Sequence, residues 1–316
     1  MAAKTLFQQH RGRGEWNVMD TKIRLCAAVA LAFALVACKH ENQALVQTTD
    51  DPRGIWFVND PTSTATIDHS VWDNFLLKYH HQNPYGDGVN MIDCDNVDLD
   101  DFQAIQDYVR GLAKLPIGEY NRDEQYAYWM NMYNAAIVSM VVDRVVVKGI
   151  PTGSVLQIRG PGLNVVGPWL KRVAVVYGKP VSFNDIEHYI LRVAFIDMEM
   201  LVHYGINCAS MGCPPIAARA HTAENWRDNL IEGAHQYINS PHGLRIESGQ
   251  LYTSKVYDSW FKEDFGGTDA AVIAHFMEYA ELALAEQLAG MTEIAGDHYD
   301  WRLNRMDSDT AVSQRQ

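Results

Sequence analysis

Hydrophobic and polar positions along the chain alternate between helical and strand-like periods. Trp72, Phe75, Leu76 and Tyr79 recur at helical intervals and predict the first helix of the folded part. Leu99 to Leu115 predicts an amphipathic helix ended by Pro116. A longer helix is expected from Asp123 to Val147, with Tyr126, Trp129, Tyr133, Ile137 and Val141 on its apolar stripe and Gly149 and Pro151 beyond its end. Trp169 to Tyr177 alternates and predicts a hairpin strand. Ser182-Phe183-Asn184-Asp185 is a near-capping box that opens a further helix through Ile186, Ile190 and Leu191. Thr222 to Tyr237 and Ala270 to Glu286 also predict helices, with a hairpin between them around Ser248-Gly249.

Between the capping box and that hairpin lies an apolar run, Met200 to Ile206, that ends abruptly in Asn207-Cys208-Ala209-Ser210-Met211-Gly212-Cys213-Pro214-Pro215. The pattern predicts a buried strand that delivers a thiol to an open edge. Helices and hairpins are mixed with neither regular βαβ alternation nor an internal repeat. The expected fold is α+β, a single domain of mixed helices with a small, mostly antiparallel sheet.

The N-terminus changes the picture of where this domain works. Leu25 to Ala37 is an apolar run behind Lys22 and Arg24, of a length that suits a secretory signal and is short of the roughly 20 residues of a membrane-spanning helix. It ends Leu35-Val36-Ala37-Cys38, which resembles the lipobox of bacterial lipoproteins, in which the Cys becomes the acylated first residue. The resemblance predicts a signal peptide over 1–37 (with the true start at Met19), a lipid-anchored tether over 38–66, the domain over 67–305 and a disordered tail over 306–316. Lys39 after the lipid-bearing Cys38 favours the outer membrane, facing the periplasm. A plain secretory signal is the alternative reading.

Composition narrows the function classes. Of 316 residues 47% are hydrophobic, so a packed core is expected. The net charge is −13, and −16 for residues 38–316 with their 21 basic and 37 acidic residues, which argues against nucleic acid as a partner. Attachment to membranes would then rest on the acyl chains rather than on charge. The Asp-rich run Asn90 to Asp101 lacks the spacing of a calcium loop and is expected to form turns and helix caps. Twelve His are present, but neither HExxH nor CxxC occurs, so no metal and no cofactor is implied.

Once signal and anchor are set aside, Cys94, Cys208 and Cys213 remain. Cys208 is the candidate nucleophile, with loop backbone N–H groups facing a developing oxyanion. His188 is the candidate base, with Glu187 or Asn134 as its orienting group. His203 is the alternative base, but five residues along a strand would turn it away from Cys208. Asn131, Trp129, Asn207, Ser210 and Tyr257 are candidate binding residues. Asn131 and Asn134 share one helical face and could equally serve as a buried pair that bonds a loop. A Cys208–Cys213 disulfide would close a short loop and stabilise it only weakly, so it is weak as a staple.

Ala127 to Ala135, Asp185 to His188, the Cys loop, Ser254 to Asp258 and Asp300-Trp301 follow one another as in the domain of unknown function 547 family, which this chain resembles over about Val71 to Asn304. The resemblance implies an exported bacterial protein and a papain-like cysteine hydrolase. The expected function is an envelope lipoprotein whose thiol-dependent hydrolase or acyl-transferase domain acts on peptide-like amides. Two alternatives stay open. One is thiol–disulfide exchange between Cys208 and Cys213. The other is a non-catalytic binding module for an envelope protein, with that disulfide closed and Trp129, Tyr133, Tyr257 and Trp260 lining a groove.

Overall fold

The computed structural model of the protein describes residues 54–82, 89–159 and 166–306. The signal region, the lipid-bearing Cys38, most of the tether and the tail beyond 306 lie outside the described residues.

The long helix organises the fold. Helix α1 spans Ser70–Tyr79, α2 Leu99–Leu112 and α3 Arg122–Val142, the last continuing into a π-helical turn, Asp143–Val147. Asn121 caps α3 by accepting the Glu124 N–H at 3.0 Å. Every residue from Glu124 to Ala135 is buried, so α3 is a central helix wrapped on all sides rather than a one-faced surface helix. Its first turn also gathers the preceding chain. Glu124 accepts the Ile67 N–H, the Gln125 amide donates to the carbonyls of Val58 and Ile117, and Trp56 meets Trp129 edge-on at 5.4 Å.

Three small sheets occur among the described residues. Strands β1 (His80–His81) and β2 (Met91–Ile92) pair antiparallel, as do β3 (Arg172–Val176) and β4 (Lys179–Ser182). Strands β5 (Leu244–Glu247), β6 (Gln250–Ser254) and β7 (Gly296–His298) form the third, antiparallel between β5 and β6 and parallel between β6 and β7. Helix α4 spans Trp226–Ile238. The α+β class and the mostly antiparallel pairing agree with the sequence pattern. The Asp-rich run forms the short turn Cys94–Asn96 and places Asp98 before α2 without a side-chain cap bond; Asp98 and Asp101 instead receive Lys78, and Asp95 pairs with Arg305.

Three segments differ from expectation. The run up to Ile206 is not a strand; residues Ile196–Tyr204 coil as a 3₁₀ helix. A short, wholly buried apolar run has no polar face to reveal its period, so strand and helix read alike. The capping box holds, with Ser182 N–H donating to Asp185 at 2.8 Å, but the helix it opens is π-wound over Asp185–Leu191. The last predicted helix is two, α5 (Asp269–Tyr279) and α6 (Leu282–Leu288). The Asn239 side chain divides them, donating to the Tyr279 carbonyl and accepting the Glu281 N–H.

Candidate active site

The Cys loop follows the 3₁₀ helix and is held from two sides. From α3, Asn134 donates to the Gly205 carbonyl at 2.9 Å and accepts the Asn207 N–H at 2.9 Å. One turn earlier Asn131 makes the same two-point clamp on the backbone of His221, at 2.7 and 3.0 Å. A side-chain amide carries both a donor and an acceptor, so it can stand in for a strand neighbour in the middle of a helical core. Asn207 repeats the device within the loop, donating to the Pro214 carbonyl and accepting from Ala209 N–H and the Asn304 amide. That curl puts Ala209 at φ 61°, a left-handed conformation that side chains other than Gly adopt rarely.

From the other side the segment Tyr299–Asn304 is laced onto the loop. Met211 N–H reaches the Arg302 carbonyl, Gly212 N–H the Asp300 carbonyl and Asn304 N–H the Ala209 carbonyl, at 2.8, 2.8 and 3.2 Å. Gly212 has to be glycine here, because a Cβ would lie 2.7 Å from the Asp300 nitrogen. The Tyr237 hydroxyl holds the Gly212 carbonyl and lies 2.8 Å from Ser254 Oγ.

Within this frame Cys208 and Cys213 form a disulfide, with 6.1 Å between their Cα atoms. Cys208 is half-buried, whereas Cys213 is 6% exposed and lies behind it. The sulfurs carry no proton, so every hydrogen bond to them is donated by a neighbour. Tyr299 Oη is 3.1 Å from Cys208 Sγ and 3.2 Å from Cys213 Sγ, Ser210 Oγ is 3.0 Å from Cys208 Sγ, and the Cys208 N–H reaches Cys213 Sγ at 3.0 Å. Burial, reinforced by Tyr237, raises the Tyr299 phenol well above its ordinary range, so it remains a protonated donor.

The disulfide sits in the wall of a cleft of about 410 Å³. Trp169, Trp260, Phe261, Tyr299 and Trp301 supply aromatic walls, and Glu187, His188 and His203 supply polar ones. Trp260 and Trp301 each pack on the Tyr299 ring, at 4.6 and 4.5 Å. Glu187 accepts the Tyr133 hydroxyl at 3.3 Å.

The histidine wall is tied to an ion pair. Arg192 grips Asp264 with two hydrogen bonds, 2.6 and 2.8 Å, and His203 Nε2 lies 2.8 Å from the same carboxylate. Burial works to raise the Asp264 acid, but the donors His203 and Arg192 overcome it and hold it well below the usual carboxylate range. Burial lowers His203 despite Asp264. The ring is therefore neutral near pH 7, with its proton on Nε2 and the lone pair on Nδ1. His188 Nδ1 lies 3.1 Å from an Arg192 nitrogen. A guanidinium can only donate, so His188 Nδ1 accepts.

The cleft brings together Cys208, Cys213, His188 and Glu187, with Ser210 touching the sulfur from the loop. It does not bring the others. Asn134 and Asn131 are backbone clamps, so Asn134 orients no imidazole, and His188 is held by Arg192 rather than by Glu187. Asn207 shapes the loop from inside. Trp129 is 1% exposed and Tyr257 0%, both in the core, because the π-turn Val256–Trp260 sends Tyr257 inward against Tyr204 and only Trp260 outward. The expected oxyanion donors are also occupied: the N–H groups of Cys208, Ala209, Met211, Gly212 and Cys213 all have partners. His203, which a strand would have turned away from Cys208, shares its cleft because the segment is helical.

Tyr299, Arg192, Asp264 and Tyr237 were not anticipated. Arg192 carried a signal, lying four positions after His188 on one helical segment, and Tyr299 directly precedes the Asp300-Trp301 pair. Asp264 and Tyr237 carried none. Among the described residues no group of three or more His, Cys, Asp or Glu could hold a metal ion.

Fold and cleft together define a small α+β domain built around a clamped disulfide loop. Residues 117–238 match the family described as "Protein of unknown function, DUF547". The matched segment runs from the start of α3 through the Cys loop to the end of α4; Asp264 and Tyr299 lie beyond it. Comparison with curated proteins found no match, and comparison with solved structures found none.

Proposed function

We propose that this domain carries out thiol–disulfide exchange through Cys208 and Cys213. One observation carries the reading: three donors, the Tyr299 and Ser210 hydroxyls and the Cys208 N–H, converge on the two sulfurs. An external thiolate enters from the cleft and attacks the half-buried Cys208 Sγ. The Cys208–Cys213 bond breaks, and Cys213 leaves as a thiolate beside the Cys208 N–H and the Tyr299 hydroxyl. Hydrogen bonds to a leaving thiolate lower its basicity and speed its departure. A second thiolate then resolves the mixed disulfide and frees Cys208.

The test is reduction of the folded protein by graded dithiothreitol, followed by iodoacetamide mapping. Cys208 should label first, and Cys213→Ser, offered a small-molecule disulfide in place of dithiothreitol, should accumulate a mixed disulfide at Cys208. A pair that stays oxidised until the protein unfolds would overturn the reading. Amide hydrolysis is a second reading, favoured by the Asp264-bound His203 in the same cleft. It requires the reduced form, and its measure is amidase activity that appears only after reduction.

We further propose that the domain is displayed in the cell envelope, anchored through Cys38 behind the signal segment. The support is the Leu35-Val36-Ala37-Cys38 sequence. Cys38→Ala should release the protein from membranes; continued attachment would overturn the anchor.

A further inference from the structure

The cleft's walls say what kind of thiol would reach the disulfide. Glu187 is the single carboxylate among the described lining residues, and neither Lys nor Arg lines the cleft. Arg192, just behind, is neutralised by its two-point bond to Asp264, and His203 is neutral. No Lys or Arg in the described lining offsets the Glu187 carboxylate. The same cleft is lined by the aromatic side chains of Trp169, Trp260, Trp301 and Tyr299. Indole and phenol faces attract cations, and a nearby carboxylate adds to that attraction. A volume of about 410 Å³ is that of a small-molecule site.

The same carboxylate acts on the sulfur chemistry. Its field extends to the Tyr299 hydroxyl, which touches both sulfurs. An unneutralised anion there opposes the formation of a second anion, the departing Cys213 thiolate. A cation bound beside Glu187 would remove that opposition in the step that needs it removed.

We propose, resting on the exchange reading, that the cleft takes a low-molecular-weight thiol bearing an ammonium group, with the ammonium beside Glu187 and the aromatic wall and the sulfur at Cys208. Two such thiols and the protein disulfide become one small disulfide and two cysteine thiols. The first thiolate bonds to Cys208, and Cys213 leaves and takes up the proton that the attacking thiol released. The second thiolate bonds to the sulfur of the first and displaces Cys208, which is protonated in turn.

The experiment has two arms. In the first, cysteamine, 2-mercaptoethanol and 3-mercaptopropionate reduce the intact protein at matched thiolate concentration. Cysteamine should be fastest, about ten-fold ahead of the anionic thiol, as expected for one cation–π contact assisted by a carboxylate. Glu187→Gln should erase that order. Should Glu187→Gln misfold, Trp260→Leu, at a partly exposed position, should reduce the advantage instead. An order that persists in the folded Glu187→Gln variant reflects the overall negative charge and overturns the proposal.

In the second arm, tetramethylammonium should quench tryptophan fluorescence of the oxidised protein and of a Cys208→Ser, Cys213→Ser double variant. Quenching without reduction by any thiol would sink the exchange reading and leave the cation site standing. Reduction that shows no charge preference, with no quenching, would sink the cation site alone. Quenching by N-acetylglucosamine oligomers but not by tetramethylammonium would make the aromatic wall a sugar platform and overturn the proposal.

Discussion

On the sulfur side of the cleft the polar groups of residues 207–213 serve the loop and the disulfide it carries, while on the histidine side they serve one ion pair. Asn207 alone joins Asn134, Ala209, Pro214 and Asn304, and the hydroxyls of Ser210 and Tyr299 converge on the two sulfurs. Across the cleft Arg192, Asp264 and His203 satisfy one another, and only His203 Nδ1 is left with a lone pair. The first side is arranged around atoms whose bonds can change; the second is arranged around charges that must stay paired. Chemistry at sulfur and stability of the wall should therefore be separable by mutation.

The largest expected effect is on the sulfur side. Cys208→Ser should bring disulfide exchange to the uncatalysed background, while Cys213→Ser should still capture half of a small-molecule disulfide as a mixed disulfide at Cys208, both read by mass spectrometry after quenching. Equal loss in the two variants with no captured adduct would break the distinction between an entered and a shielded sulfur. Next comes Asp264→Asn, which leaves Arg192 without its counter-charge in a mostly buried setting. It should cost about 3 kcal/mol in urea unfolding, as for other broken buried pairs, while reduction of the disulfide changes less than about three-fold. A large change in sulfur reactivity would couple the two walls after all.

The core histidines set a third scale. Burial pushes His69, His221 and His275 each down to about 4, away from an unfolded value near 6.5. A histidine kept neutral by the fold contributes stability that is present above pH 6.5 and is lost as pH falls from there toward 4. Between pH 7 and 6 the three together should cost up to about 2 kcal/mol, read as a falling Tm. His203, which burial also lowers, adds to that loss, so His203→Gln should shrink it while the share of the three core histidines remains. The smallest effect is Tyr299→Phe, which removes a hydroxyl shared by both sulfurs and should slow reduction about ten-fold, the worth of one hydrogen bond to a charged group. No change in rate would remove Tyr299 from the exchange chemistry.

Much of this fold was legible because its helices announce themselves at both ends. Ser182 caps where expected, Pro116 and Gly149 lie just beyond the helices that precede them, and the two hairpins carry their turn residues. The loop was legible as a place but not as a set of roles. Asn131 and Asn134 share a helix face, and that spacing suits a clamp and a catalytic amide equally. The histidine partner was illegible because Asp264 is 61 residues from His203, and no local period links them. The strand expected before Cys208 failed for a reason that also misplaced His203. A buried run without a polar face hides whether its residues alternate or coil, and the answer decides which side chains look into the cleft.

The lacing of Tyr299–Asn304 onto the Cys loop has a consequence in time. A chain emerges from its N-terminus, so Cys208 and Cys213 are available for roughly 90 residues of synthesis or export before Tyr299 arrives. Until then Gly212 lacks its partner strand and the sulfurs lack their shared hydroxyl. The unfinished loop can pair its cysteines or leave them open, and the last few residues then seal whichever state they meet. The order in which the chain becomes available thus makes the finished site a record of the redox conditions during its own folding.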